Sequence, residues 1–449
     1  MPLLYTFYGD DFTGSTDVLE QLAANGVRSA LFLAPPTRSQ LEEFPGLEAF
    51  GIAGDSRSRS PDWMSRHLPS IFESLRTFHT PIVHYKVCST FDSSPEHGSI
   101  GRAIELGLKT FHQRFVPIVV GAPHLQRFVS EARLFASAPD GVIHRIDRHP
   151  MSRHPVTPMR EPDLRRHLEK QTTLRIGHVE HTQLHTRDAA SHALDRELAA
   201  GCRAVLFDTI DSQSLELTAN LLWQSAFEQP LFCAASSGLT AGLISTWRTQ
   251  GSIRAQPPST SVDAASPLLV ISGSCSNATS RQIDWASRNG FQSLNANPAL
   301  LLDPESGMAY QSSLIHQLTG ILAGGQDVVL YTSRGDSASE FAGEALGATL
   351  GRLLRTLLDD TNVQRVVLCG GDTSSHAVQQ LGVLALTWKA SLQPGAPLCK
   401  VHFFDSGSRP LELILKGGQV GSDDFFAVAK SRRIGNKIPS FPDQALFKP

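Results

Sequence analysis

Two adjacent aspartates near the start of the chain have the clearest potential for chemistry. Asp10 and Asp11 lie in the run Gly9–Asp17, which reads GDDFTGSTD and separates a strand-like apolar segment from a helical pattern. Like charges this close raise the pKa of one carboxyl group, which suits a general base for a hydroxyl group. Aspartate is also a favoured helix N-cap, so a purely structural role for one of the two stays open.

Basic residues follow two further strand-like segments. Arg57 comes shortly after one apolar run, and Lys86 ends another and is followed by Ser89. An arginine fork and a lysine point charge at neighbouring strand ends would hold a carboxylate and its polyol tail. Each residue alone also fits a solvated surface charge. Cys88 has no local partner, and we interpret it as a small packing residue rather than as a nucleophile.

The histidines do not predict a metal site. Two groups occur, at positions 144, 149 and 154 and at positions 178, 181 and 185. Zinc sites on helices need steps of three or four residues together with a cysteine or carboxylate at a suitable spacing, and neither group provides both. The proline-rich run His154–Met159 either directs His154 or Thr157 at a ligand or only forms a stiff loop, and the sequence leaves both open.

Three glycine turns in the second half of the chain each close an apolar strand-like run. The first contains Ser274, the second reads GGDTS from Gly370, and the third spans Lys416–Gly421. Backbone N–H groups and hydroxyls at such turns bind phosphates well, above all where a helix begins. None has the pattern of a Walker A loop or of a dinucleotide turn. Three turns of this kind in one domain predict a nucleotide site.

A repeated strand–turn–helix rhythm predicts the architecture that positions these residues. Short apolar runs with small or acidic residues at their ends indicate mostly parallel sheets that are covered on both faces. Residues 256–267 are rich in Pro, Ser and Ala and form the best candidate linker. We therefore predict an α/β protein of two domains, 1–255 and 268–449, each a mostly parallel sheet flanked by helices.

Composition restricts the class of protein. The 449 residues carry a net charge of −3, with no global basic field to hold nucleic acid or an anionic membrane. The sequence contains no run of 18 consecutive apolar residues, so it predicts no membrane-spanning helix. Six scattered cysteines without a C-x-x-C pair are typical of reduced thiols. These features predict a cytoplasmic enzyme, with no nucleic-acid or membrane partner.

The ordered motifs resemble those of the four-carbon acid sugar kinase family over nearly the full length. The acidic turn with Thr13 is similar to the family's opening signature, Lys86–Thr90 to its second, and Ser236–Leu239 to a small-residue turn near the end of the first domain. The three glycine turns resemble the segments that line its nucleotide site. The resemblance implies an N-terminal domain for the acid sugar, a C-terminal domain for ATP, and a reaction in the cleft between them.

The resemblance also implies residue roles. Asp11 or its rival Asp10 would be the general base, and Mg²⁺ would accompany ATP. The substrate contacts that it implies are Arg57, Lys86 and Ser89, with Thr13 in the acidic turn, whereas His154 is predicted as a substrate contact only from its place in the proline-rich loop. The predicted nucleotide contacts are Ser274, Gly370, Gly371, Asp372, Thr373 and Gly418.

The predicted substrate class depends on one segment that matches a branch of the family and on two segments that differ from its tetronate enzymes. The run from Cys88 to Asp92, CSTFD, resembles the branch of the family that phosphorylates 3-oxo acids. Residues 98–102 and 149–159 differ from simple tetronate enzymes, which leaves 3-oxo-tetronate and the branched 3-oxo-isoapionate as candidates. The oligomeric state is open, a homodimer included. An ATP-independent sugar-acid lyase or isomerase and a two-domain sugar-acid sensor are the alternatives, and the three glycine turns count against both.

Overall fold

The computed structural model describes residues 3–138, 141–153, 157–227, 229–253, 262–334, 343–405 and 409–431. His154 and the first half of the predicted linker lie outside these ranges. Within them the chain alternates strands and helices almost throughout, as the sequence rhythm predicts.

The strands, in chain order, are β1 (Tyr5–Gly9), β2 (Ser29–Phe32), β3 (Ala49–Ala53), β4 (Ile82–Lys86), β5 (Val116–Val119), β6 (Arg127–Ser130), β7 (Arg133–Ser137), β8 (Ile143–Arg145), β9 (Ile176–Val179), β10 (Ala204–Phe207), β11 (Leu231–Ala235), β12 (Leu268–Ser272), β13 (Gln292–Asn295), β14 (Val328–Tyr331), β15 (Arg365–Cys369), β16 (Val383–Gln393), β17 (Ala396–Phe403) and β18 (Glu412–Lys416).

The α-helices are α1 (Phe12–Ala24), α2 (Arg38–Glu42), α3 (Pro61–Arg76), α4 (Ile100–Phe111), α5 (Leu164–Glu169), α6 (Arg187–Ala199), α7 (Ser212–Ser225), α8 (Ser237–Thr249), α9 (Asn277–Arg288), α10 (Pro298–Leu302), α11 (Gly307–Ala323), α12 (Glu344–Asp360), α13 (Gly371–Gln379) and α14 (Phe425–Lys430).

One 15-stranded sheet runs through both halves of the described chain. Its order is β13-β14-β12-β15-β18-β17-β16-β2-β3-β1-β4-β11-β5-β10-β9. Every pairing from β2 to β9 is parallel, and so are those from β13 to β18. The predicted fold class, mostly parallel sheets flanked by helices, is confirmed. The sequence did not predict that the two sheets join.

The junction is an antiparallel contact between edge strands. In it, β2 pairs with β16 through Leu31 and Phe32, opposite Leu386 and Ala385. The long hairpin β16–β17 then connects β2 to the parallel strands of the C-terminal half. Helix α1 packs against both sides of the junction, because it contacts β2 and β3 as well as β16, β17 and α13.

Strand residues alternate between two apolar cores, one on each face of the sheet. In β1, Tyr5 and Phe7 belong to one core and Tyr8 to the other. In β12, Leu269 and Ile271 face the first core, whereas Val270 faces a third cluster in the C-terminal half. Burial on both faces explains why these strands are continuous apolar runs rather than alternating ones.

A second antiparallel sheet, β6-β7-β8, lies outside the main sheet and was not predicted from the sequence. Its strand β6 is anchored to the N-terminal half by reciprocal backbone hydrogen bonds of 2.8 Å between Val129 and Thr209. Its strands are short and mix charged with apolar residues, a pattern that resembles loops as closely as strands.

A buried guanidinium links separate segments of the C-terminal half. Arg365, at 1% exposure, begins β15 and donates to Glu412 at 2.7 Å, to the carbonyls of Ala429 and Lys430 at 2.9 and 3.0 Å, and to that of Asp263 at 2.8 Å. It therefore ties the end of the predicted linker and helix α14 to the sheet.

Replacing this arginine tests how much the anchor stabilises the fold. Arg365→Leu would leave three carbonyls without their donor, and we expect the free energy of unfolding to fall by about 3–5 kcal/mol, as when a buried charge pair is broken. Urea unfolding followed by fluorescence measures the change. Arg281→Leu removes a solvent-exposed pair with Asp423 and should leave the unfolding midpoint nearly unchanged. Equal effects of both variants would contradict the anchoring role.

Candidate active site

The carboxyl ends of three neighbouring strands set the first part of the site. Gly9 at the end of β1 is in register with Ala53 of β3 and with Lys86 of β4. The next residue, Asp10, donates its backbone N–H to the Lys86 carbonyl at 2.9 Å. The acidic turn, the segment that contains Arg57 and the Lys86 side chain therefore meet at one edge of the sheet, as predicted from sequence.

Arg57 binds both aspartates. Its Nε and Nη2 donate to the two carboxylate oxygens of Asp10 at 3.1 and 2.6 Å, and Nη2 also donates to Asp11 at 2.8 Å. Asp10 is only 2% exposed, so the fork compensates a carboxylate that has left water. The predicted basic residue thus serves first as the counter-ion of the acidic turn.

Asp11 is the N-cap of α1. Its Oδ1 accepts from the Gly14 backbone N–H at 3.0 Å, and its Oδ2 accepts from the Thr13 hydroxyl at 2.6 Å. These bonds fix the carboxylate at the sheet edge. They do not exclude chemistry, because a carboxylate has about four acceptor positions.

The two carboxyl groups differ in their affinity for a proton. Burial raises the pKa of Asp10 and outweighs the opposing effect of Arg57. Burial also acts to raise the pKa of Asp11, but Arg57, Lys86 and the hydrogen bond from Thr13 together lower it below its ordinary value. Asp11 is therefore ionised at neutral pH and able to accept a proton, whereas the raised pKa that the sequence analysis linked to a general base belongs to Asp10.

Lys86 is a buried ammonium beside this pair. The residue is 4% exposed, and a Cβ on Gly14 would collide with its Nζ, so the glycine is what gives the ammonium room. Within the described ranges its Nζ has neither a hydrogen bond nor an ion pair. A buried cation with free donors at a strand end is suited to an incoming anion.

The remaining predicted residues of this half have different outcomes. Thr13 faces Asp11, whereas Ser89 lies half-buried in the turn after β4 and His154 is outside the described ranges. Burial raises the pKa of Cys88 to about 11, and its Sγ lies 2.9 Å from the Thr90 hydroxyl. A thiol that stays protonated supports the interpretation of Cys88 as a packing residue.

The three glycine turns of the C-terminal half lie side by side. Ser272 of β12 is in register with Cys369 of β15, and Cys369 with Lys416 of β18. The backbone N–H of Gly273 bonds to the Cys369 carbonyl at 3.2 Å, and that of Gly370 bonds to the Lys416 carbonyl at 2.9 Å. Turns separated widely in sequence thus form one surface at the carboxyl ends of their strands, the usual place for a ligand.

Close approach of these turns requires small residues. Gly370 has φ +107°, a conformation that residues with a Cβ rarely adopt. A Cβ on Gly273 would collide with the Thr373 hydroxyl, and one on Gly418 would lie 2.7 Å from Ser274 Oγ. The structure therefore brings together predicted nucleotide contacts from all three turns. Gly371 and Asp372 begin α13; the Asp372 side chain lies outside the described part.

Two buried side chains hold the third turn: Lys416, which the sequence analysis placed at its start, and Gln282, which it missed. Lys416 Nζ donates to the carbonyls of Gly417 and Val420 at 3.0 Å and to Thr279 Oγ1 at 3.1 Å. Gln282 Nε2 lies 3.0 Å from three successive carbonyls of the same turn. Their signal in the sequence is weak, because it depends on the packing of α9 against a turn far along the chain.

Comparison with known proteins gives matches over both halves. The family model described as sugar-binding N-terminal domain matches residues 5–243, and that described as nucleotide-binding C-terminal domain matches residues 269–426. A 3-oxo-isoapionate kinase of Paraburkholderia graminis is 41% identical over 96% of this chain and 95% of its own. The chain belongs to the four-carbon acid sugar kinase family.

Further relatives and solved structures agree with this membership. A 3-oxo-tetronate kinase of Pseudomonas savastanoi is 30% identical over 95% of this chain and 96% of its own. A solved protein of Salmonella typhimurium LT2, provisionally described as a tRNA synthase, is 26% identical and superposes with a TM-score of 0.76 over 95% of this chain and 98% of its own. A DUF1537 protein of Haemophilus influenzae, at 23% identity and a TM-score of 0.68, covers 94% of this chain and 98% of its own and shares the fold.

The crowding of the glycine turns can be tested by ligand-induced stabilisation. Gly273→Ala would push Thr373 out of place, and we expect most of the rise in melting temperature caused by Mg·ATP to be lost. Differential scanning fluorimetry with and without the nucleotide measures it. Gly320→Ala, in α11, meets no atom within 4 Å and should keep the full rise. A full rise in Gly273→Ala would place the nucleotide elsewhere.

Proposed function

We propose that this protein is an ATP-dependent kinase that phosphorylates the terminal hydroxyl of a small 3-oxo acid sugar. The observation that carries the proposal is the strand register. In the C-terminal half it aligns the three glycine turns at the carboxyl ends of their strands. In the N-terminal half it brings together, at one edge of the sheet, Asp10, Asp11, Arg57 and Lys86. The first arrangement suits the phosphates of a nucleotide, and the second suits an anionic polyol. The two alternative functions, a sugar-acid lyase or isomerase and a sugar-acid sensor, are not favoured.

The relatives support the choice of substrate. The 41% identical protein is named a 3-oxo-isoapionate kinase, and several at 27–30% identity are named 3-oxo-tetronate kinases. The higher identity favours the branched acid, 3-oxo-isoapionate. The proposed domains are 1–255 for the acid sugar and 268–449 for the nucleotide, joined by the linker 256–267, and a homodimer remains a prediction. No helix in the described ranges is long and apolar enough to cross a membrane.

Sheet geometry supports a site between the halves. The antiparallel junction reverses the strand direction, but six steps of the sheet separate β1 from β15. A typical twist of about 20–25° per step would accumulate to about 120–150° and would turn the two carboxyl edges back toward the same side. An ion pair of 2.8 Å joins Arg59, two residues after Arg57, to Glu344 at the start of α12. Helices α1 and α13 also touch.

In this arrangement the residues of the chain would position the two substrates and stabilise the charge that develops during phosphoryl transfer. Asp11 would accept the proton of the terminal hydroxyl, as that oxygen bonds to the γ-phosphorus and the bond to the ADP oxygen breaks. Lys86 would hold the acceptor sugar and screen the charge that develops near it. The N–H groups and hydroxyls of the glycine turns would hold the phosphates of ATP.

Magnesium is part of the proposal. When bound, Mg²⁺ neutralises charge on the β- and γ-phosphates. The hydroxyls of Ser274 and Thr373 lie among the glycine turns and would suit a hard cation, which keeps water and phosphate oxygens as its main ligands and needs no protein cage. The described ranges contain no cluster of three histidine, cysteine or carboxylate ligands.

The role of Asp11 is tested by a substitution that preserves the helix cap. Asn caps a helix as well as Asp does, so Asp11→Asn should keep the fold while turnover falls about 10²-fold or more, because only the carboxylate can take the proton. The Kd of ATP should stay within a few-fold. Steady-state ADP release and nucleotide titration measure these quantities.

Asp10→Asn serves as the comparison for Asp11. It weakens the Arg57 fork and so should loosen the site, with a smaller loss of turnover. A near-wild-type rate in Asp11→Asn would overturn its role as base, and a larger loss in Asp10→Asn would transfer that role to Asp10.

Lys86 should affect the acid sugar and not the nucleotide. We expect Lys86→Ala to raise KM for the acid at least tenfold, because a buried charged donor is lost, with the KM for ATP nearly constant. Lys109→Ala removes an exposed lysine of α4 and is the matched control. A rise in the KM for ATP instead would assign Lys86 to the phosphates. Arg57→Ala is less specific, since it also frees both aspartates.

A further inference from the structure

A buried carboxylate and a half-buried guanidinium lie beside the active-site edge and take no part in the contacts described so far. Asp92 follows the turn after β4, and Arg127 begins β6. The Cys88 thiol is within electrostatic reach of Asp92, Arg57 and Lys86, and Arg127 is within reach of Cys88 and Asp92. Asp92 and Arg127 therefore adjoin the region of the catalytic cations.

Neither group is satisfied in the described part of the chain. Asp92 is 6% exposed, and its Oδ1 is shielded from water and accepts no hydrogen bond from the described residues. The Nε of Arg127 is buried and unpaired as well, although its Nη1 donates to the carbonyls of Leu125 and Gln126 at 2.9 and 3.2 Å. No ion pair joins Asp92 to Arg127 within these ranges.

This arrangement is costly unless a third group completes it. An unpaired buried charge destabilises a protein by several kcal/mol, and two opposite charges in reach of one another would normally pair. Here the backbone next to each residue is fixed by hydrogen bonds. Arg127 exchanges backbone hydrogen bonds with Ala122 at 2.9 and 3.1 Å, while Phe91, before Asp92, has φ +61° and its carbonyl accepts from Ser93 Oγ at 3.0 Å.

The missing group must accept from a guanidinium and donate to a carboxylate. A carboxylate meets the first need, and a hydroxyl meets the second. A small acid sugar carries both on neighbouring carbons. A simple anion would satisfy Arg127 but would be repelled by Asp92, whereas a neutral sugar would leave Arg127 unpaired.

We propose that Asp92 and Arg127 form a specificity subsite for the acid end of the sugar, in which Arg127 binds the carboxylate and Asp92 accepts a hydrogen bond from an adjacent hydroxyl. The inference rests on the proposed kinase function and deepens it. It also orients the substrate, because fixing the acid end at β6 leaves the terminal hydroxyl toward Asp11 and Lys86.

The test compares Arg127→Met and Arg127→Lys with the wild type, using 3-oxo-isoapionate and 3-oxo-tetronate. Hydrogen bonds to charged groups contribute about 1.5–3 kcal/mol, so kcat/KM for the acid should fall about 10–100-fold in Arg127→Met, mainly through KM. Arg127→Lys should recover part of the loss because it restores the charge without the fork. Asp92→Asn should raise KM for the acid about tenfold.

Two internal controls separate binding from folding. The rise in melting temperature caused by Mg·ATP should be unchanged in every variant, whereas the rise caused by the acid alone should shrink in Arg127→Met and Asp92→Asn. Arg133→Met removes an exposed arginine from β7 of the same small sheet and should behave like the wild type.

The outcomes distinguish the two proposals. A wild-type protein that phosphorylates neither acid overturns the kinase proposal itself. An active wild type whose KM for the acid does not change in Arg127→Met overturns the subsite, as does a loss of acid binding that is matched by an equal loss of ATP binding. Partial rescue by Arg127→Lys supports a charge contact over a packing role.

Discussion

The pairing of β2 with β16 is the constraint on which the rest of the structure depends. Without this pairing, β2 of the parallel N-terminal sheet and β16 of the mixed C-terminal sheet would each be an exposed edge strand, and such edges are templates for unwanted association. Joining them antiparallel covers both edges, and the accumulated twist then decides where the two carboxyl ends point. Helix α1 packs across the joint and carries Asp11 at its N-terminus. The position of the proposed base therefore depends on the contact that joins the halves.

Charge balance is the second organising feature. Asp10, Asp11, Arg57 and Lys86 sum to zero net charge, so the substrate half can bury them without a large field. Within the group the charges are unequally used: Arg57 is committed to the aspartates, whereas the Lys86 ammonium has no hydrogen-bond or ion-pair partner among the residues that the structure describes. In the C-terminal half Lys416 is likewise committed, to two backbone carbonyls of the third glycine turn and to Thr279.

The sequence predicted features that depend on local pattern. Short apolar runs predicted the strands. The residues at the ends of these runs, which are Asp10, Lys86 and the glycine turns, predicted the edge of the sheet at which the site lies. Features that depend on register or distant packing could not be predicted. Arg57 was expected to meet a substrate carboxylate, but its commitment to Asp10 requires the alignment of β3 with β1. The joined sheet, the small sheet that holds Arg127, and the support of the third turn by Gln282 have no local signal.

Because the chain is synthesised from its N-terminus, the edge of β2 forms before the strand that covers it. The N-terminal half emerges from the ribosome first, but Ala385 and Leu386, the partners of β2 in β16, lie far later in the sequence than β2 itself. At about 5–20 residues per second, the edge of β2 waits for tens of seconds without its neighbour. During that interval the β16 of another nascent chain is chemically equivalent to its own. Crowding of translating ribosomes on one message would therefore favour exchange of the hairpin between copies, whereas dilute refolding would favour closure within one chain.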